Sequence, residues 1–341
     1  MSKKTERQFR VALIGTDSFR AQEIKDLLAG RKFPIKSMEF YDPEVAEEYS
    51  KLTEFRDEPK VIHHPYPELL EELDLVFLAA DKESNRKFGR LAREKGFKAI
   101  DLEESFSDQP DVPLVVAGVN DEVLEREEVL LVSNPHPVTI FLSHVLAAVS
   151  SVFRVKKALA VVLQPVSAYA NAGIEELAEQ SYALLSSSSL SHKIFADQIA
   201  FNFLPEVEKA DRDGFSASER QIIQEVRRVL KSDFDFSLSL VQAPVFHVYS
   251  LVIYLELAKD TGLEQLGQVF RQKDIFQFHP PGAPRQISNI RAAGQEKIFI
   301  GHLKKDQSLP GSFWLYVAAD NLTIGSALNA LELARKLVGL A

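Results

Sequence analysis

Apolar and polar positions along this chain follow two different periods, and the first third switches repeatedly between them. Phe9-Arg-Val-Ala-Leu-Ile-Gly15 is a nearly continuous apolar run ending in glycine, which predicts a buried strand. Residues 20–29 follow with Ile24, Leu27 and Leu28 on one helical face. Strands are predicted at 36–41 and 73–80, the latter nearly all apolar, as a strand covered on both faces requires. A helix at 83–95 and strands at 98–102 and 113–116 come next, then an apolar run that ends at Ser133. Strands alternating with helices over about 135 residues predict a doubly wound, mostly parallel sheet.

The run ending at Ser133 turns through Asn134-Pro135-His136-Pro137 into an apolar helix predicted at 139–153. Beyond this elbow the pattern changes. A strand at 157–163 precedes a helix at 173–185 and a serine run, 186–189, read as a mobile loop. Ser216-Ala-Ser-Glu219 has the spacing of a capping box and opens a helix at 219–230. Residues 236–240 alternate strictly, giving a strand with one wet face, and 248–257 is expected to pair with it. A helix at 262–273, strands at 297–301 and 312–318, and a closing helix at 323–340 complete an α+β half with an antiparallel or mixed sheet.

Length and charge narrow the function classes. The 341 residues suffice for two domains with full cores. A net charge of −9 argues against a broad nucleic-acid surface or a polybasic membrane patch, so neither nucleic acid nor membrane is an expected partner. The polar start, Met1 to Gln8, lacks an apolar signal core, and no apolar run approaches the ~20 residues that span a bilayer. A cytoplasmic location is expected. The chain contains no cysteine, which excludes disulfides, thiolate metal sites and a cysteine nucleophile.

Read on chemistry alone, the candidates are few. A strand-to-helix elbow is a common seat for a nucleophile, yet this one carries none. Thr139 and Ser143 lie near it, with no base marked beside either. His136 reads as a filler of the elbow pocket in preference to a base. His63 and His64, adjacent on a strand, point to opposite faces and do not share a metal, so no metal site is expected and both read as surface and loop residues. Gly15 serves packing or phosphate binding. Glu225 and Arg228, at i and i+3 of a helix, read equally as an ordinary ion pair or as a substrate clamp. The charge runs Glu47-Glu48 and Glu125-Arg-Glu-Glu128 read as solvated faces.

In order and spacing, several segments resemble the aspartate-semialdehyde dehydrogenase family over the whole chain. They are Val11-Ala-Leu-Ile-Gly15, Asp111-Val-Pro-Leu-Val-Val116 with Val119-Asn120, Asn134-Pro135, Gln164 with Val166-Ser167, Gln198-Ile-Ala-Phe-Asn202 with Pro205, Pro244-Val-Phe246, Ile298-Phe-Ile-Gly301, and Ala319-Asp-Asn-Leu322 with Gly325 and Ala327-Leu-Asn329. The resemblance implies an α/β protein: a Rossmann-like doubly wound NAD(P)-binding domain, 1–134 with 323–341, and an α+β dimerisation and catalytic-type domain with a mixed sheet, 135–322. It also implies a homodimer joined through the second sheet, with a heteromeric protein partner as the alternative. NADP or NAD is the implied cofactor, and no metal. Family members reduce β-aspartyl phosphate through a cysteine thiolate, a histidine and an arginine pair.

Measured against that pattern, the reactive groups are missing. The family's Asn-Pro-Asn-Cys reads Asn134-Pro135-His136-Pro137 here, and proline offers neither a nucleophile nor an N–H. Its Arg-Gly-His reads His247-Val248-Tyr249, and tyrosine titrates too high to shuttle protons at neutral pH. A substrate arginine becomes Ser107, behind Glu103 and Glu104, which repel phosphate. Gln164 and the Glu225/Arg228 spacing remain. The Gly-x-x-Gly-x-x-Gly turn reads Gly15-Thr16-Asp17-Ser18-Phe19-Arg20-Ala21; Arg20 either meets phosphate or is a solvated helix arginine. A second glycine pair is Asp81-Lys82, and Ser-Gly-Ala-Gly reads Ser167-Ala168-Tyr169-Ala170. Vestigial cofactor contacts are assigned to Gly15, Thr16, Ser18, Asn321 and Gly325. The expectation is a semialdehyde dehydrogenase-like protein, inactive in the family reaction, that acts by binding; an NAD(P)-dependent oxidoreductase of altered chemistry is the alternative.

Overall fold

The computed structural model describes residues 7–31, 33–46, 51–125 and 129–340; Glu47, Glu48 and positions 126–128 of the two charge runs lie outside them, and Glu125 is exposed. The chain forms two compact units, Met1–His136 with Ser326–Ala341, and Pro137–Gly325. The division falls inside the elbow.

Unit one is built on a seven-stranded sheet. Its strands are β1 (Phe9–Ile14), β2 (Ile35–Tyr41), β3 (Lys51–Phe55), β4 (Glu58–His63), β5 (Leu75–Leu78), β6 (Lys98–Asp101) and β7 (Leu131–Ser133), in the order β3-β4-β2-β1-β5-β6-β7. All neighbours are parallel except the edge pair β3–β4. The helices are α1 (Phe19–Gly30), a single turn α2 (Pro67–Leu70) and α3 (Lys82–Lys95). The continuous apolar run of β1 is explained by its two covered faces. Val11 and Leu13 pack with Ile24 and Leu28 of α1 and with Leu331 and Ala334 of the C-terminal helix (Leu328–Leu337); Ala12 and Ile14 pack with Phe88 and Ala92 of α3. Neighbouring strands run outward from β1 in both sequence directions, so a crevice opens at the carboxyl ends of β1 and β5.

One expectation fails in this unit, and one element was not foreseen. Residues 113–116 form no strand, only a parallel bridge of Leu114 to Ser133. Asparagine side chains take the place of a ladder: Asn120 accepts from Val116 N (2.8 Å) and donates to Leu114 O (2.9 Å), while Asn329 accepts from Ala117 N (2.8 Å) and donates to Val115 O (3.0 Å). The β3–β4 hairpin is not signalled in the sequence, because its turn is Arg56-Asp57, both at positive φ, where Asn-Gly is the usual signature.

In unit two, α4 (Pro137–Ser150) leads to β8 (Val155–Gln164), α5 (Ala170–Ser186), α6 (Ala217–Leu230), β9 (Asp235–Gln242), β10 (Tyr249–Leu257), α7 (Leu263–Arg271), β11 (Phe276–Phe278), the turn α8 (Asn289–Ala292), β12 (Ile298–Lys305) and β13 (Ser312–Ala319). The capping box at Ser216 and Glu219 forms as expected, with both bonds present. The sheet is mixed, in the order β11-β12-β13-β10-β8-β9. Contrary to expectation, β10 does not pair with β9. It runs antiparallel to β8 and β13, and β9 lies parallel to β8 at the edge. Burial explains the order: β10 is buried on almost every residue and takes a central place, while β9, with Ser237 and Ser239 toward water, goes to the rim. The short β11 and the break of the closing helix into a turn at Thr323–Ala327 and a helix from Leu328 were not legible either.

Candidate functional site

The crevice of unit one is a cavity of about 290 Å³ lined by the turn after β1, the residues after β2 and β5, and Glu103 after β6. Gly15 closes β1 at φ +84°, and a Cβ there would lie 2.4 Å from Ala80 N. Its need for glycine is thus met by packing against the neighbouring strand. Ser18 is the N-cap of α1; its hydroxyl accepts from Ala21 N at 3.0 Å. Thr16 Oγ1 lies 3.4 Å from both Asp17 and Asp42. At the next helix, Asp81 caps α3 by accepting from Glu83 N and Ser84 N (2.9 and 3.0 Å); a hydrogen bond from the Ser84 side chain, followed by these amides, holds its carboxyl below the usual range.

Arg20 is neither solvated nor aimed at phosphate. Its guanidinium donates to Glu104 Oε1 at 2.7 Å and to the Leu102 carbonyl, and lies 3.6 Å from Glu103. Burial would raise the Glu104 carboxyl, but Arg20 and then His136 hold it at about 2. Glu103 goes the other way: burial pushes it up to about 7, and its Oε1 is buried without a hydrogen-bond partner. His136 is thus a buried neighbour of Glu104, not an open base. Beneath the elbow, fully buried Asp101 accepts from Ser105 N (2.6 Å), Ser133 Oγ (3.1 Å) and Asn85 Nδ2 (3.3 Å), and burial raises its carboxyl. Asn134 accepts from Asn329 Nδ2 at 2.7 Å and so anchors the start of the elbow to the C-terminal helix of the same unit.

In unit two, Pro137 is the first helical residue of α4, the helical position where a missing N–H costs least. The buried side chains of Gln164, Gln242 and Tyr249 form one closed chain of bonds. Tyr249 donates its hydroxyl hydrogen to Gln164 Oε1 (3.2 Å), Gln164 Nε2 donates to Gln242 Oε1 (3.0 Å), and Gln242 Nε2 donates to the Gln164 and Ala243 carbonyls (2.9 and 3.2 Å). Gln242 was missed in the sequence, where only its place just ahead of Pro244-Val-Phe246 marked it. The Tyr249 ring lies 6.5 Å from that of Phe141, on α4. Half-buried His247 precedes Val248, which holds φ +76°.

Asn321 and Gly325, assigned to a cofactor, have structural work in this unit. Asn321 Oδ1 accepts from Val248 N (3.3 Å), and its Nδ2 donates to Ser167 Oγ (3.3 Å). A Cβ on Gly325 would lie 2.7 Å from the Phe141 ring and 2.9 Å from Pro137. Thr139 does have a carboxylate beside it, contrary to expectation: its hydroxyl donates to Glu225 Oε2 at 2.6 Å. Both are buried, so the bond staples α4 to α6 and presents no open nucleophile. Gln221 donates to the other oxygen of Glu225 at 2.9 Å, and Arg228 is half-buried on the same helix. Tyr169 packs edge-on against Phe195, 5.2 Å between centroids.

His63 ends β4 on the surface, and His64 sits over Tyr66. Among the described residues no three His, Cys, Asp or Glu side chains are grouped as metal ligands, and no helix is long and apolar enough to cross a membrane.

A doubly wound sheet with a crevice at its switch point, followed by a mixed-sheet unit, is a two-part α/β scaffold of the kind that can hold a nucleotide. Residues 10–127 match the model of the semialdehyde dehydrogenase NAD binding domain and residues 146–324 that of the semialdehyde dehydrogenase dimerisation domain. The chain belongs to the semialdehyde dehydrogenase family. It is 26% identical over 334 residues to the aspartate-semialdehyde dehydrogenase of Rickettsia bellii, covering 97% of this chain and 98% of that protein. Aspartate-semialdehyde dehydrogenase 2 of Vibrio cholerae is 27% identical over 336 residues, 97% of this chain and 98% of the relative. Among solved structures, aspartate semialdehyde dehydrogenase II from Vibrio cholerae superposes with a TM-score of 0.91 at 25% identity, over 98% of this chain and 99% of that one. A probable aspartate-semialdehyde dehydrogenase from Pseudomonas aeruginosa gives 0.90 at 28%, over 97% and 99%.

Proposed function

We propose that this protein is a non-catalytic member of the semialdehyde dehydrogenase family that acts by binding, as a homodimer. Its domains are those of the family, 1–134 with 323–341 and 135–322. The observation that carries the reading is Pro137 at the family's nucleophile position, as the first residue of α4. No acyl thioester forms on a proline, and among the described residues of the elbow Thr139 and Ser143 are buried. Tyr249, in place of the histidine, is buried and donates a hydrogen bond to Gln164 Oε1. The amide groups a substrate would use on Gln164 are occupied by Tyr249 and Gln242.

The dimer reading rests on the outer face of the second sheet. Leu159 and Val161 of β8 are exposed there, in register with Tyr254 and Val252 of β10, which face Trp314 and Tyr316 of β13. This apolar, aromatic strip has the composition of an interface core.

Purified protein assayed for phosphate-dependent oxidation of aspartate semialdehyde with NADP is expected to show no turnover above background. Measurable turnover sinks the reading. A second result supports it: Pro137→Cys alone restores no activity, because the Tyr249–Gln164–Gln242 chain still closes the pocket.

A further inference from the structure

We infer that the crevice of unit one, although built on the family's nucleotide-binding scaffold, excludes NAD and NADP. A pyrophosphate at such a crevice needs free amides at the start of α1, backbone that approaches closely, and a cation or at least no opposing charge. The first and the last of these are opposed by what lies there. The Ser18 hydroxyl already takes the Ala21 amide. Five acidic side chains line the cavity, Asp17, Asp42, Glu44, Asp81 and Glu103, and among the described residues its lining includes no lysine or arginine.

Two nearby cations are already engaged by carboxylates. Lys51 pairs with Asp17 and lies 3.9 Å from Asp42, and the Asp17 hydrogen bond raises its titration point. Arg20, at the start of α1, points to Glu104 and the Leu102 carbonyl. The ribose half fares no better. An acid just after the second strand is the usual acceptor for an adenine-ribose hydroxyl. Asp42 stands there, but it is buried, its Oδ1 accepts from Glu44 N at 3.0 Å, and its Oδ2 faces Thr16 and Lys51.

Calorimetric titration of the full chain with NADP, and separately with NAD, tests this. The expected result is no saturable binding up to millimolar nucleotide. Saturable binding of either at or below millimolar concentration overturns the inference; NAD binding alone would show that Asp42 does serve the ribose. The variant Asp17→Gly/Ser18→Gly, checked for an unchanged circular dichroism spectrum, is expected to gain NADP affinity at least tenfold. Asp81→Asn in the native background, which keeps an N-cap residue, is expected to gain a smaller factor. If both variants are folded and neither gains affinity, the assigned cause is wrong. Nucleotide binding without turnover defeats only this inference, whereas turnover defeats the proposed function.

Discussion

Arg20 donates to Glu104 across 2.7 Å with only 20% and 9% of the two side chains exposed, so the α1 arginine is an internal counter-ion. Removing one member of such a pair leaves the other charged and buried, a loss of about 3 kcal/mol. Arg20→Met should therefore lower stability by that order at pH 7, read by urea unfolding. The pH dependence has a definite sign. Glu104 is held at about 2, below its ordinary 4.5, so its contribution is full above pH 4.5 and disappears as pH falls toward 2. The gap between wild type and variant should close over that window; a gap independent of pH contradicts the assignment.

Glu103 predicts the opposite slope. Burial raises it to about 7, so the folded chain holds a proton there that the unfolded chain releases near 4.5. Its contribution to stability is complete below pH 4.5 and lost as pH rises through 7. Glu103→Gln should then stabilise by roughly 3 kcal/mol at pH 8 and by almost nothing at pH 4. Unfolding curves at the two pH values check this.

Ala170 holds a backbone that glycine adopts most readily, φ +53° and ψ −148°, and it is exposed. That region is nearly forbidden to residues with a Cβ. Ala170→Gly should raise stability by about 1 kcal/mol, since little burial is lost. A lower melting temperature would argue that the strain is absent.

Val248 is the second such position, β-branched and fully buried at φ +76°. Replacing it with glycine or alanine removes most of the same apolar surface, but only glycine relieves the backbone. The usual order, with alanine better in a strand or loop by about 0.5–1 kcal/mol, should be inverted here. Val248→Gly at least as stable as Val248→Ala, by thermal unfolding of both, is the expected outcome.

The open sheet face gives a prediction on assembly. Val161→Glu places a charge in the middle of the apolar strip without touching the inner core, so it should convert dimers to monomers in light scattering while leaving the circular dichroism intact. A native protein that is already monomeric defeats the homodimer reading. A dimer unchanged by the substitution moves the interface off this face.

Much of the fold is visible in the hydrophobic pattern because the covered strands are long and periodic. β1, β5 and β8 are read correctly for that reason, as is the capping box at Ser216. The misses have local causes. Residues 113–116 look like a strand, but Asn120 and Asn329 satisfy their backbone from the side. The β9–β10 pairing follows chain adjacency in the sequence, yet the more apolar strand goes to the centre. The lack of a thiol is legible because it needs only the composition, and Pro137 and Tyr249 are legible because side-chain type alone limits what each can do. Gln242 and Asp101 are not, since an ordinary amide and an ordinary carboxylate acquire roles only through the partners the fold brings to them.

The sequence by itself determined the scaffold, the family likeness and the absence of the family's thiolate, because composition and periodicity are properties of the chain alone. Tertiary structure decided what the replacements do. It turned Arg20 inward to Glu104, capped α1 with Ser18, ringed the crevice with carboxylates and bound Tyr249, Gln164 and Gln242 to one another. Hydrogen bonds and desolvation depend on positions in space, and residues such as Arg20 and Glu104, far apart in the chain, meet only when it folds.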